Sequence, residues 1–171
     1  SPEHPFVALV GGTKVSGKLE LITNLLDCID VLLLGGAMAY TFFRARGYPT
    51  GKSLVEPELV DATRRLEKEA KRCGVRLELP VDHVVANRLE AGITCETIDV
   101  TDSSIGDRLG LDIGPLTINA YAEIIRSART VVWNGPMGVF EMEEFTNGTV
   151  ALAHAVANCP AKTLIGGGDS I

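Results

Sequence analysis

Two lysines in a glycine-rich stretch are the residues of this sequence whose types and spacing most directly suggest chemistry. Lys14 and Lys18 lie in the run Gly11-Gly-Thr-Lys-Val-Ser-Gly-Lys18, directly after the apolar residues 6–10. Ammonium groups and the backbone amides of such a loop bind phosphate. Two solvated lysines that flank a loop would show the same spacing. The spacing therefore does not decide between phosphate binding and simple solvation. The lysines share a face if a helix begins by Lys14; if it begins later, Lys14 projects from the loop itself.

An apolar run that ends in a glycine-rich turn occurs three more times. These turns are Gly35-Gly36, Asn134-Gly-Pro136 and Gly166-Gly-Gly-Asp-Ser170, after residues 31–34, 131–133 and 163–165. Beyond the second of them, Gly138 and Glu141 lead into a helical stretch. A strand that runs into a glycine-rich turn and then a helix is where open α/β sheets place their ligands. The repetition therefore predicts a ligand site built from several strand ends.

The periodicity of apolar residues predicts the elements that position these turns. Strands are expected at 6–10, 31–34, 75–79 (extended past Pro80 to 86), 97–100, 131–133 and 163–165. Helices are expected at 19–29, 37–46, from Pro57 to Gly74, from Pro115 or Leu116 to 128, and at about 143–158. Another apolar segment, residues 109–115, is broken by glycine and proline, and residues 88–104 are otherwise poorly patterned.

Alternation of apolar strands with helices predicts an α/β fold: a doubly wound, mostly parallel sheet with helices on both faces, a Rossmann-like three-layer sandwich. Right-handed crossovers would place all four glycine loops on one edge of that sheet. That edge would carry Lys14, Lys18, Asn134, Glu141 and Asp169, which predicts a nucleotide-sized phosphorylated ligand. Neither the dinucleotide fingerprint nor the P-loop pattern is present.

Composition excludes several other functions. The net charge of −6 disfavours a nucleic-acid partner, and no apolar run is long enough to span a membrane. With no signal peptide at Ser1, we expect an intracellular chain, by default cytoplasmic, with an organelle such as a glycosome or plastid left open. Ser1-Pro2 resembles a cut, and the glycine loop at 166–170 lacks its helix, so we expect an incomplete domain.

The cysteines and one histidine are interpreted as structural residues. The four cysteines lack the close spacing of a zinc site, and we expect them to be reduced and mostly buried. His83 has no second histidine or cysteine nearby, so a structural role is favoured over catalysis or metal binding.

Six motifs, taken together and in this order, resemble the carboxyl-terminal, nucleotide-binding domain of phosphoglycerate kinase. They are Gly11-Gly-Thr-Lys-Val-Ser-Gly-Lys18, Leu34-Gly-Gly-Ala-Met-Ala-Tyr-Thr-Phe42, Leu79-Pro-Val-Asp82, Gly110-Leu-Asp-Ile-Gly-Pro115, Trp133-Asn-Gly-Pro-Met-Gly-Val-Phe-Glu141 and Ile165-Gly-Gly-Gly-Asp-Ser170. The resemblance covers essentially residues 1–171. It implies phosphoryl transfer between 1,3-bisphosphoglycerate and ADP, giving 3-phosphoglycerate and MgATP, in a cleft between two domains.

The resemblance also implies roles for individual residues. Lys18 would stabilise the transferring phosphoryl group as the catalytic residue, and Asp169 would hold Mg²⁺ on the nucleotide. The remaining nucleotide contacts implied are Gly12, Thr13, Lys14, Gly35, Gly36, Gly110, Leu111, Asn134, Pro136, Glu141, Gly167, Gly168 and Ser170. Of these, Gly35, Gly36 and Gly110 would line the adenine slot, and Glu141 would accept hydrogen bonds from the ribose. Members of the family are usually monomeric.

Three positions depart from the family's pattern: Gly17 replaces the usual aspartate, Ala37 a common glycine, and Arg108-Leu109 the usual Trp-Met. They motivate an alternative, a divergent non-catalytic nucleotide-binding or interaction module on the same fold. The domain that binds phosphoglycerate in the family is absent from residues 1–171. We therefore expect this chain alone to be inactive.

Overall fold

The computed structural model describes residues 1–166, which form two sheets and five α-helices. The strands are β1 (Phe6–Val10), β2 (Val31–Leu34), β3 (Arg76–Glu78), β4 (Asp82–Ala86), β5 (Cys95–Asp99), β6 (Leu109–Ile113), β7 (Thr130–Asn134) and β8 (Lys162–Gly166). The α-helices are α1 (Leu19–Leu25), α2 (Ala39–Ala45), α3 (Val60–Arg72), α4 (Pro115–Arg126) and α5 (Asn147–Ala157). Short 3₁₀ turns occupy Val15–Gly17, Pro57–Leu59, Ser103–Ile105 and Glu143–Phe145.

The main sheet has the strand order β3-β2-β1-β7-β8, and every neighbouring pair is parallel. All five residues of the central strand β1 are buried, as expected of a strand covered on both faces. Alternate β1 residues pack on opposite sides: Ala8 lies in the core with α1, α2 and α3, and Leu9 in the core with α4 and α5. The predicted doubly wound sheet with helices on both faces is therefore confirmed.

A second, three-stranded antiparallel sheet in the order β5-β4-β6 was not predicted. The prediction that one strand continues past Pro80 to residue 86 was wrong: β3 ends at Glu78, and β4 begins at Asp82 in the other sheet. Proline has no N–H to donate to a ladder, so the chain leaves the parallel sheet there. Inside the poorly patterned region, the strand expected at 97–100 forms as β5.

Several helix predictions were too long. The helix predicted at 19–29 ends at Leu25, and the one predicted from Pro57 begins at Val60, after a 3₁₀ turn. The stretch 143–158 divides into a 3₁₀ turn and α5, with Gly148 buried in the first turn of α5. The helix expected from residue 37 begins at Ala39, because residues 37 and 38 form a turn that leads into it.

The expectation of mostly buried cysteines was also wrong. All four are free, but Cys28 is exposed and the other three are half-buried. Cys28 lies in the turn after α1, outside the apolar face of that helix, so its thiol is not covered by the core. Within residues 1–166, no helix is both long enough and apolar enough to cross a membrane.

Candidate functional site

A cleft of about 540 Å³ opens at the carboxyl ends of the central strands. This is the edge at which doubly wound sheets bind their ligands. It is bounded by the loops after β1, β2 and β7 and by β6 of the small sheet. Of the predicted site residues, the following line it: Gly12, Thr13, Lys18, Gly36, Gly110, Leu111, Pro136 and Glu141.

The three described glycine loops are bonded to one another at this edge. Gly12 N–H donates to Pro136 O (3.0 Å), and Gly36 N–H donates to Met137 O (3.1 Å). Gly12 and Gly36 have φ angles of +121° and +71°. A Cβ on Gly36 would lie 2.5 Å from Gly12 O and 2.9 Å from Pro136 O. Only glycine permits this approach, so the loops converge because of their sequence.

Lys18 extends from the residue before α1 toward the end of β7, where its Nζ donates a hydrogen bond to Asn134 Oδ1. The contact joins residues that are 116 positions apart. Partial burial lowers the pKa of Lys18 from its usual value. The amide oxygen is a neutral partner, so no carboxylate among residues 1–166 pairs with the ammonium group.

Lys14 projects from the loop, which decides between the two geometries considered for the lysine pair. Its backbone is extended (φ −131°, ψ 136°), a 3₁₀ turn separates it from Lys18, and α1 begins only at Leu19. Its side chain is exposed and lies outside the cleft lining. Gly35 lies beneath the cleft, where a Cβ would overlap Met137 Sδ.

One wall of the cleft is formed by β6 and aromatic side chains. Gly110 N–H donates to Ser53 Oγ (2.9 Å), and a Cβ on Gly110 would overlap Tyr40 Oη. The Tyr40 hydroxyl forms a 2.6 Å hydrogen bond with His83 Nδ1. Sequence interpretation singled out neither Tyr40 nor Ser53.

His83 is buried in this aromatic wall. Burial raises the pKa of Tyr40 and lowers the pKa of His83 to about 4, so both groups are neutral at pH 7. This environment agrees with the structural role favoured for His83. Its Nε2 has no hydrogen-bond partner among residues 1–166.

Asp112 is the acidic group that sequence interpretation missed. It is buried at the lining of the cleft, and burial raises its pKa to about 7 although it accepts hydrogen bonds from Gly148 N and Ile113 N. An aspartate inside the otherwise apolar segment of β6 was the available signal.

The three departures from the family pattern have different surroundings. Gly17 has nothing within 4 Å of where a Cβ would be, so its position is open space. Ala37 and Leu109 both line the cleft. Arg108 lies outside the cleft lining, pairs with Glu96 (2.9 Å) and donates to Ser104 O (2.7 Å), so it ties β6 to β5 and to the preceding turn.

Gly167, Gly168, Asp169 and Ser170 lie outside the described residues. The strand that leads to them ends next to the site, since Gly166 of β8 is in register with Asn134 of β7. Within residues 1–166, no three His, Cys, Asp or Glu side chains form a group that could hold a metal ion.

Comparison with known proteins identifies the family. The family model for phosphoglycerate kinase matches residues 1–171. The chain is 49% identical over 170 residues to the phosphoglycerate kinase of Leptospira biflexa, covering 99% of this chain and 43% of that protein. It is 51% identical over 170 residues to the phosphoglycerate kinase of Clostridium botulinum, covering 99% of this chain and 42% of that protein.

Comparison with solved structures finds the same family. Phosphoglycerate kinase from Coxiella burnetii superposes with a TM-score of 0.96 at 45% identity, over 99% of this chain and 44% of that one. The enzyme from Pyrococcus horikoshii superposes with a TM-score of 0.83 at 35% identity, over 100% of this chain and 44% of that one. The chain thus spans less than half the length of its relatives and matches their carboxyl-terminal region. On this match of sequence and fold, the chain belongs to the phosphoglycerate kinase family.

Proposed function

We propose that this chain supplies the nucleotide site of a phosphoglycerate kinase, which transfers a phosphoryl group between 1,3-bisphosphoglycerate and ADP to give 3-phosphoglycerate and ATP. The observation that supports it is the position of Lys18 at the rim of a nucleotide-sized cleft between three bonded glycine loops. Lys18 has no ionic partner within residues 1–166. The phosphoglycerate would be held mainly by the part of the enzyme outside residues 1–171. In this proposal the chain is a carboxyl-terminal domain truncated at both ends.

In this proposal the base and ribose occupy the part of the cleft away from Lys18. Gly110 and Leu111 of β6 line a slot there, and Gly36 borders it on the side of the loop after β1. The exposed carboxylate of Glu141 is available to accept hydrogen bonds from ribose hydroxyls. Gly35 supports this slot from below, through its contact with Met137.

The phosphates would lie toward Lys18. Phosphoryl transfer depends mostly on positioning and electrostatic stabilisation, because charge spreads over three equatorial oxygens in the transition state. The Lys18 ammonium would leave Asn134 Oδ1 for those oxygens, an exchange that the neutral amide does not strongly oppose. Gly12, Thr13, Asn134 and Pro136 would border the phosphates, and the exposed Lys14 would reach them from outside.

Mg²⁺ would arrive with the nucleotide and neutralise part of its phosphate charge. Mg²⁺ is usually bound by one or two carboxylates together with substrate phosphates. Asp169 would be that carboxylate, with Gly167, Gly168 and Ser170 beside it. The pairing of Asn134 with Gly166 supports this placement, because the segment that carries Asp169 starts beside Lys18's partner. A cytoplasmic location and a monomeric state likewise stay predictions.

Replacement of Lys18 tests the proposal. In the full-length protein, assayed in a coupled assay with 3-phosphoglycerate and MgATP, Lys18→Ala should lower kcat by about 100-fold or more, as for loss of one transition-state donor. ADP affinity should fall much less. Lys68→Ala, an exposed lysine on α3 remote from the cleft, is the control and should retain full activity.

The alternative of a non-catalytic nucleotide-binding module makes the opposite prediction. Undetectable turnover by the unmutated full-length protein, with ADP binding retained, would exclude the kinase proposal in favour of that module. The observation that motivates this alternative is at Gly17, immediately before Lys18. A Cβ at Gly17 would meet no atom within 4 Å, so no neighbouring group holds this position. Turnover that depends on Lys18 would exclude the module.

A further inference from the structure

Asp112 lies where three parts of the site meet: the end of β6, the loop of residues 135–141, and the first turn of α5. Its Oδ2 accepts a hydrogen bond from Gly148 N (2.9 Å) and its Oδ1 from Ile113 N (2.9 Å). The N-cap residue of α5, Thr146, makes no side-chain capping bond. The Asp112 carboxylate, supplied by a different sheet, therefore satisfies a first-turn N–H of α5.

The 135–141 loop is packed directly on this carboxylate. A Cβ on Gly138 would overlap Asp112 Oδ1 and lie 2.8 Å from Leu111 O. Beside it, Val139 N–H donates to Leu111 O (2.9 Å). On the other side, Met137 N–H donates to Thr149 Oγ1 in α5 (3.0 Å). The loop is thus held between β6 and α5, with Asp112 at the junction.

The same loop borders the cleft through Pro136 and Glu141. We propose that Asp112 is a positioning residue for nucleotide binding: its carboxylate fixes the 135–141 loop against α5 so that Pro136 and Glu141 face the nucleotide. This inference rests on the proposed nucleotide function of the cleft. It assigns Asp112 an effect on nucleotide affinity, exerted through the loop, rather than a place in the transfer step.

Asp82 offers a matched control elsewhere in the fold. It is a buried aspartate that accepts from Leu116 N (2.9 Å) and Thr117 N (2.9 Å) in the first turn of α4. The N-cap of α4, Gly114, likewise provides no side-chain bond. Asp82 therefore accepts N–H bonds from the first turn of α4, as Asp112 does from the first turn of α5. Unlike Asp112, it lies outside the cleft lining. Changing either aspartate to asparagine replaces one of its two acceptor oxygens by an NH2 donor and so breaks one of the buried N–H bonds it accepts. Only Asp112 adjoins the 135–141 loop.

The experiment compares Asp112→Asn with Asp82→Asn in the full-length protein. Steady-state kinetics should show the KM for MgATP raised about tenfold in Asp112→Asn with kcat within about threefold of the unmutated protein, the pattern of a lost binding geometry. Asp82→Asn should leave both parameters unchanged while lowering thermal stability. If the two variants shift KM equally, or if Asp112→Asn lowers only kcat, the positioning role is wrong.

Hydrogen exchange of the same proteins, followed by mass spectrometry, gives a readout that is independent of turnover. Asp112→Asn should speed exchange in residues 135–148, and Asp82→Asn should not. Unchanged exchange there would overturn the inference whatever the kinetics show. An unmutated protein that neither binds nor turns over nucleotide would instead refute the proposed function, and would refute the nucleotide role of Asp112 with it. Faster exchange of residues 135–148 in Asp112→Asn would then show only that Asp112 stabilises the start of α5.

Discussion

At the scale of single residues, burial shifts the pKa values of Lys18 and Asp112 in opposite directions. Both groups line the cleft, and in both cases burial disfavours the charged form: it lowers the pKa of Lys18 and raises the pKa of Asp112 to about 7. Lys18 is only partly buried and its pKa starts far above 7, so the ammonium remains charged at physiological pH. Asp112 is more deeply buried and titrates close to neutrality.

The raised pKa of Asp112 predicts a specific dependence of stability on pH. Between about pH 4 and 7, the folded protein binds more protons at Asp112 than the unfolded chain does, so this residue's contribution to the free energy of unfolding falls as pH rises. Below about pH 4 Asp112 does not lower the free energy of unfolding, because it is protonated in both states. Above about pH 7 it is ionised in both states, and the decrease has reached its full size. A shift from 3.8 to about 7 corresponds to roughly 4 kcal/mol.

Urea unfolding at several pH values tests this prediction. Other titrating groups are common to both proteins, so the quantity to follow is the free energy of unfolding of Asp112→Asn minus that of the unmutated protein. This difference should move in favour of the variant by roughly 3–4 kcal/mol between pH 4.5 and pH 8. A difference that is the same at both pH values would contradict the raised pKa.

At the scale of elements, the site depends on three strand-end loops that bond to one another rather than on any single motif. Gly12 N–H in the loop after β1 and Gly36 N–H in the loop after β2 both donate hydrogen bonds to carbonyl oxygens of the loop after β7. The Cα atoms of the glycines form the contact surfaces between loops, so a methyl group at one of them forces neighbouring backbones apart. The packing of the loops is therefore sensitive to very small changes.

Gly36→Ala should be strongly destabilising. Its φ of +71° disfavours alanine, and the new Cβ would lie 2.5 Å from Gly12 O, a backbone atom that cannot move without its loop. We expect a loss of at least about 2 kcal/mol in the free energy of unfolding. Gly17→Ala is the control: its Cβ meets nothing within 4 Å, and loss of backbone freedom in the unfolded chain should make it neutral or stabilising by about 0.5 kcal/mol. Equal losses in the two variants, measured by chemical denaturation, would show that loop packing is not the cause.

At the scale of the whole molecule, the two sheets are covered to different degrees. In the main sheet, β1 is paired on both sides and buried along its whole length. In the small sheet, β5 is an edge strand whose residues are exposed or half-buried. The main sheet thus forms the stable body, and the small sheet adds β6 as a wall of the cleft.

Hydrogen exchange should reveal this difference in the absence of ligand. Amides of β1 should exchange only through global unfolding, because opening that strand exposes both cores, whereas amides of β5 should exchange through local opening at a lower free energy. The exchange rate of the β1 amides should rise much more steeply with added denaturant than that of the β5 amides. Equal protection and equal denaturant dependence in the two strands would show that both sheets unfold as one unit.

The amino-acid sequence by itself determined which segments form the strands of the main sheet and which form the helices between them. It also determined the glycine loops at the strand ends and the family resemblance. These features depend on local properties: apolar periodicity within a few residues, and the backbone freedom of glycine. The partners of buried polar groups were decided only by tertiary structure. Lys18 meets Asn134 from 116 positions away, and Asp112 reaches the first turn of α5 from another sheet. The antiparallel pairing of β4 with β5 and β6 is likewise set by contacts across long loops, because a strand's sequence shows which face is buried but not which strand lies beside it.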